Sequence, residues 1–237
     1  QYAKLKYAHL WAPIRAACLG IESIFIWLNS IHPLGWGITV ILFSLLFKVF
    51  TLPINILLAR TQRTVSAIQM KLAPELEKIK ANFSGEEAHQ KFMNAHKKEG
   101  VTPFYNLKPL FFIIIPLPLL IAIFNVLGSM DLIAHHSFLW VKDLSHPDAM
   151  YSQSIHIPFL GDSLNLLPFM MSLLTIIAAL FHQNSVVNEK TLRKQRINLY
   201  FMAIAFFLLF YPFPAAMVLY WTFANVWQLI QQRVIHP

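Results

Sequence analysis

The sequence predicts an all-α, polytopic membrane protein with a five-transmembrane-helix core, preceded by an N-terminal interfacial amphipathic helix and interrupted by a cytoplasmic helical hairpin. Three observations predict it. Of 237 residues, 57% are hydrophobic and 13% charged, which is more apolar surface than a soluble core of this length would bury. The apolar residues gather into five runs long enough to span ~30 Å of hydrocarbon. The 19 Lys and Arg, against 11 Asp and Glu, concentrate in particular connections between those runs. Charge arranged in that way marks topology, not a nucleic-acid surface.

Residues 1–36 hold the first element. No Met precedes Gln1 and no signal-peptide pattern opens the chain, so an excised core or a processed product is expected. Between Trp11 and Ser30, the polar residues Arg15, Glu22 and Asn29 recur at intervals of seven on one helical face, with Ile21, Phe25, Ile26 and Leu28 elsewhere. An interfacial helix fits this pattern, and Trp11 and Trp27 suit the headgroup region. A sixth span is the competing reading, although it would bury Arg15 and Glu22.

The five candidate spans are residues 37–59, 106–127, 164–183, 198–212 and 214–232. Residues 60–105, between the first two, carry Arg60, Arg63, Lys71, Lys78, Lys80, Lys91, Lys97 and Lys98; residues 184–197 add Lys190, Arg193, Lys194 and Arg196. The connection 128–163 holds Lys142 against Asp131, Asp143, Asp148 and Asp162. The positive-inside rule therefore places 128–163 outside, the two basic connections and the tail 233–237 in the cytoplasm, and the start of the chain outside.

Within 60–105 the pattern reads as two helices. The first runs from Thr61 to Ala81 with an interruption near Pro74. The second runs from Gly85 to Glu99, opened by Ser84 and Glu87 at capping-box spacing and stopped by Gly100. Val65, Ile68, Leu72, Leu76 and Ile79 recur at helical intervals and face Phe92 and Met93 in a hairpin. A solvated charged linker is the competing reading.

Lys48 is the most informative residue, because it lies mid-span and the membrane-length runs offer no Asp, Glu or His deep enough to neutralise it. A charge at the bilayer centre costs about 3 kcal/mol on insertion scales, so such groups usually face a bundle interior or a wet cavity. Eleven residues separate it from Gly37 and eleven from Ala59. At ~1.5 Å per residue either end of the span is about 16 Å away, too far for the side chain to reach. Ser44, Lys48, Thr51 and Asn55 share one stripe of the first span. Asn165, Ser172 and Thr175 form a stripe in the third span, and Trp221, Asn225 and Gln228 one in the fifth. A groove with polar walls from these three spans follows. The plainer alternative for the hydroxyls and amides is helix-to-helix hydrogen bonding, worth about 1 kcal/mol per contact. Pro53 in the first span, and Pro103, Pro109, Pro116 and Pro118 around the second, remove backbone donors and favour kinks.

Four stretches resemble the YidC/Oxa family of membrane protein insertases: WGITVILFSLLFKVFTLPI, QMKLAPELEKIKANF, FLWVKDLSHPD and FPAAMVLYWTFANVWQLIQQRVI. The resemblance implies a bacterial inner-membrane insertase or chaperone that receives hydrophobic segments in a hydrated groove without nucleotide hydrolysis. By motif, Lys48 matches the family's groove Arg, Ser44 a hydroxyl one turn earlier, and Tyr220 and Trp221 an aromatic pair that faces substrate. Together with the stripe residues, the expected groove set is Lys48, Ser44, Thr51, Asn55, Ser172, Thr175, Tyr220, Trp221 and Asn225. Lys in place of Arg keeps the charge and loses the planar fork. Ile113 stands where a Gln is usual, and Pro212 and Ala216 replace the usual aromatic and Gly. Implied partners are nascent membrane proteins with short or acidic outer tails, the lipid bilayer, and, through the hairpin and tail, the Sec translocon, the ribosome and signal-recognition components.

Other classes compete. An ion- or solute-conducting transporter using Lys48 would also keep a mid-membrane charge, but such relays usually carry chains of Asp, Glu or His. An enzyme is disfavoured: HExxH, GxSxG and GxxxxGKS are absent, and Gly161-Asp162-Ser163-Leu164 resembles a hydrolase tetrapeptide only over four residues, at an expected helix start where Asp and Ser cap well. The spacing of His135, His136, His146 and His156 matches no metal template. With the single Cys18 there is no intrachain disulfide and no cysteine metal cluster, and neither cofactor nor catalytic residue is expected.

Overall fold

The computed structural model describes residues 7–129, 131–157, 161–181 and 189–235, with side chains at 106, 113, 152–162, 179, 181, 189–196 and 232–235 left aside. The basic side chains Lys190, Arg193, Lys194 and Arg196, and also Ile113, Asp162 and His156, therefore lie outside the described residues. Eight α-helices are described: α1 Ala12–Ser30, α2 Trp36–Asn82, α3 Gly85–Lys98, α4 Lys108–Ile114, α5 Leu117–Ser129, α6 Leu166–Phe181, α7 Glu189–Phe210 and α8 Ala215–Ile235. The fold is mostly helical. Trp36–Asn82 and Lys108–Ser129 are long and apolar enough to cross a membrane, and Leu166–Ala178 and Ile197–Phe210 are shorter apolar helices. One element departs from an all-α fold: β1 Tyr151–Ile157 pairs antiparallel with β2 Gly161–Leu164.

The chain divides into two compact units, 1–49 with 119–237, and 50–118. In the first unit α1 buries Cys18, Ile21, Phe25 and Leu28, a stripe at helical spacing. Phe25 stacks on Phe43 with ring centroids 4.1 Å apart, and the Cys18 thiol points at the Ala122 carbonyl at 3.7 Å. Its polar residues are used too: Tyr7 donates to Glu22 at 3.4 Å, and Thr39 to Asn29 at 3.0 Å. Ile24, Ile26 and Trp27 stay exposed, so α1 presents apolar residues on two sides. The core continues through Val40, Ile123, Val126, Met171 and Val218, with α6 packed on α7 and α8.

The connection expected outside is folded into this core. Ile133, Val141 and Leu144 are fully buried, and a two-residue turn joins Phe138 to Val141 through paired backbone hydrogen bonds of 2.9 Å. The Phe138 ring lies where a side chain at Gly37 would project, so only glycine fits at that point of α2. Asp148, 3% exposed, accepts from the backbone amides of Leu166 at 2.7 Å and Leu167 at 3.0 Å and from the Trp140 indole at 3.0 Å, all on one carboxylate oxygen. It caps α6 from eighteen residues away in sequence. The carbonyls of His146 and Leu144 accept from the first amides of α8, Ala215 and Ala216, at 2.8 and 2.9 Å. Asn165 fastens the turn before α8 by donating to the Tyr211 carbonyl at 2.8 Å. The Gly161-Asp162-Ser163-Leu164 stretch is strand, not a helix start; the α6 cap comes from Asp148 because a strand ladder already occupies the backbone of that tetrapeptide.

In the second unit α2 continues unbroken past Pro53 and Pro74, both exposed, so no interruption occurs near Pro74. Each proline forfeits one backbone bond and finds room for its ring on the open face. Val65, Leu72 and Ile79 are buried with Ala95 and Tyr105, and Ile68, Leu76, Ala88 and Val101 pack against them. Met93 is 43% exposed, so the small Ala88 and Ala95 take the place expected of it and let the helices approach. Ser84 makes no side-chain cap to α3. Gly100, with φ +67°, stops α3 as expected: its amide bonds to Lys97 and that of Val101 to His96, both at 3.0 Å, a paired C-terminal closure. The second apolar run is two helices, because Pro116 and Pro118 withhold amides at the break between α4 and α5.

Candidate functional site

The polar residues of α2, α6 and α8 meet in the first unit as a seam. Ser44, 1% exposed, donates to the Ile41 carbonyl at 2.7 Å and accepts from the Trp227 indole at 2.9 Å. One turn on, the half-buried Lys48 ammonium donates to the side-chain carbonyl of Gln228. Two consecutive residues of α8 thus reach two residues of α2 that lie four apart. Asn225, three residues before Gln228 on α8, donates its amide to Thr175 on α6 at 2.8 Å, while the Thr175 hydroxyl donates to Met171 within its own helix at 2.8 Å. Ser172 Oγ and Gln231 Oε1 are buried with no hydrogen-bond partner among the described residues. Buried polar atoms in that condition are uncommon.

The expected residues divide as follows. The seam unites Ser44, Lys48, Thr175 and Asn225, with Ser172 near Thr175 on α6. Thr51 and Asn55 belong to the second unit, where Asn55 donates to Thr51 at 3.4 Å. Tyr220 is 2% exposed, enclosed by Phe43, Phe47 and Phe124 with centroids 6.2 to 6.4 Å away. Trp221 is half-buried and stacks on Phe124 at 5.9 Å, beside Phe206 and Phe210. Tyr220 therefore sits inside the packing, while Trp221 is only partly covered. The Ser44 hydroxyl is engaged as both donor and acceptor.

Two contributors escaped the expected set. Gln228 was legible as a stripe residue, three beyond Asn225, but its partner was not. Trp227 gave no signal, since an indole that donates to a buried hydroxyl looks in sequence like any interfacial aromatic. Among the described residues, no group of three His, Cys, Asp or Glu could hold a metal ion.

A helical fold with a cationic polar seam between apolar helices defines an integral membrane protein with a polar interior. The chain belongs to the 60-kDa inner membrane protein family, whose model matches residues 27–237. It is similar to proteins named membrane protein insertase YidC. The one from Chlorobaculum tepidum is 29% identical over 216 residues, 91% of this chain and 35% of the relative. That of Chlorobium limicola gives the same identity and coverage, and that of Azobacteroides pseudotrichonymphae is 29% identical over 236 residues, 93% of this chain and 37% of the relative. The chain thus spans about a third of the length of the curated relatives it matches.

Proposed function

We propose that this chain is the membrane core of a protein insertase, a five-span bundle in the bacterial inner membrane with its start outside and its end in the cytoplasm. Lys48 is the central element. The observation that carries the reading is an ammonium on a membrane-length helix, held by the neutral Gln228 beside the polar residues of α6 and α8.

A single-span client must carry a short polar outer tail across hydrocarbon, and a groove hydrated around Lys48 shortens the dry part of that path. Acidic tails are drawn to the cation. The buried Ser172 and Gln231 oxygens mark places where water or a client's polar groups find acceptors. The apolar part of the client then partitions into lipid at roughly 25 cal/mol per Å² of apolar surface removed from water, which drives the process without nucleotide. Such a protein is not an enzyme. The hairpin, with Lys71, Lys78, Lys80, Lys97 and Lys98 exposed, is the expected contact for ribosome, signal-recognition or Sec components.

Complementation of insertase-depleted cells tests the reading. Lys48→Arg is expected to insert an acidic-tailed single-span client as the unchanged chain does, and Lys48→Ala to lose roughly tenfold, the equivalent of about 1.4 kcal/mol. Equal insertion by all three would remove the cation from the mechanism. Failure of the unchanged chain to restore insertion would remove the insertase reading itself.

A further inference from the structure

We infer that Gln228 sets how strongly the seam selects acidic segments, by holding the Lys48 ammonium through a neutral bond that an entering carboxylate can replace. The inference rests on the insertase reading and adds to it a residue that governs specificity.

The geometry gives Gln228 this place. Its side-chain carbonyl accepts from the Lys48 ammonium. The neighbouring Trp227 indole is fixed on the buried Ser44 hydroxyl at 2.9 Å, and Asn225 on Thr175 at 2.8 Å. α8 is therefore anchored to α6 and to α2 in the turn that leads into Gln228, and the amide is presented to Lys48 by a helix that cannot rotate freely. An amide oxygen meets an ammonium with one charge-assisted bond, weaker and easier to exchange than a carboxylate at the same distance. A carboxylate at 228 would neutralise Lys48 permanently, and an apolar side chain would leave the ammonium less well held. The amide lies between the two, holding the cation in position without cancelling its charge.

The Gln228 variants act through Lys48, so the test compares clients and not only total insertion. Three single-span clients differ solely in the outer tail, which is acidic, neutral or basic, and are presented to the full chain in insertase-depleted cells. Membrane accumulation of each variant is measured alongside. In Gln228→Glu, insertion of the acidic-tailed client is expected to fall roughly tenfold against the neutral-tailed one, the scale of one charge-assisted contact. In Gln228→Met, of similar length and without an acceptor to compete with an entering carboxylate, the preference for the acidic tail is expected to rise. A residue needed only for packing would lower all three clients together. Should Gln228→Glu fail to accumulate, the Met variant decides: an unchanged or lost acidic preference there overturns the inference. Wild-type ratios between tails in an accumulating Gln228→Glu variant overturn it as well, while leaving the insertase reading intact. If the unchanged chain inserts none of the three clients, the reading beneath it falls first.

Discussion

In the hairpin of the second unit, Val65, Leu72 and Ile79 close on Ala95 and Tyr105, and the exposed faces carry Lys, Glu and Gln. In the first unit the arrangement is reversed in part. Leu45, Leu46, Val49, Leu173, Phe201 and Leu208 lie exposed, while Ser44, Thr175, Asn225 and Thr222 are half-buried or fully covered. The same 3.6-residue period therefore orients helices by opposite residue types. Water outside the hairpin makes apolar burial the organising force. Lipid outside the bundle is as apolar as leucine, so close packing and hydrogen bonds between helices decide which faces meet.

That contrast breaks or sharpens on three measurements. The largest effect is expected at Leu72, 1% exposed: Leu72→Ala should cost the hairpin about 2–5 kcal/mol. Leu173→Ala, at a position 59% exposed, should change stability by less than about 0.5 kcal/mol. Hydrogen exchange of the two helices reads both, and equal losses would erase the contrast. A smaller effect, about 1 kcal/mol, is expected for Asn225→Val, which removes the α6 to α8 bond; chemical unfolding in detergent measures it.

A further measurement concerns the polar cluster around Asp143. Burial acts to raise the Asp143 carboxyl, but the Ser145 hydroxyl at 2.7 Å and amide at 2.9 Å, with the His135 backbone and the His146 ring, outweigh it and lower the group to about 2. A depressed carboxylate contributes stability that is complete above its unfolded value near 3.8 and is lost as pH falls towards about 2. Trp140 fluorescence should therefore stay constant down to about pH 4 and change below it. A change centred well above pH 4 would count against the Asp143 carboxylate as its source.

How much of this was legible follows from the same physics. The hairpin stripe Val65 to Ile79 could be read directly, because periodicity records burial against water. The polar stripes could also be read as stripes, yet their pairings could not: nothing in Lys48 or Gln228 alone says that α8 approaches α2 at that height. Tyr220 and Trp221 were placed by resemblance to face a client, and packing with Phe43, Phe47 and Phe124 encloses the first of them. The β-hairpin was missed because only Ile155 and Ile157 alternate with polar neighbours, a strand signal too short to stand out beside the apolar runs around it. The unbroken passage of α2 through Pro74 shows that a solvent-facing proline need not end a helix supported elsewhere along its length.

The connection between α5 and α6 supplies acceptors to the first amides of two separate helices, Leu166 and Leu167 on α6 and Ala215 and Ala216 on α8. These four amides should behave as one cooperative opening unit, surrendering their protons to solvent at a common rate. Loops ordinarily tolerate insertions and nicks; a protease cut between residues 144 and 148 would instead fray two helix starts at once. Resistance of this segment to limited proteolysis is thus a gauge of whether the whole bundle is intact.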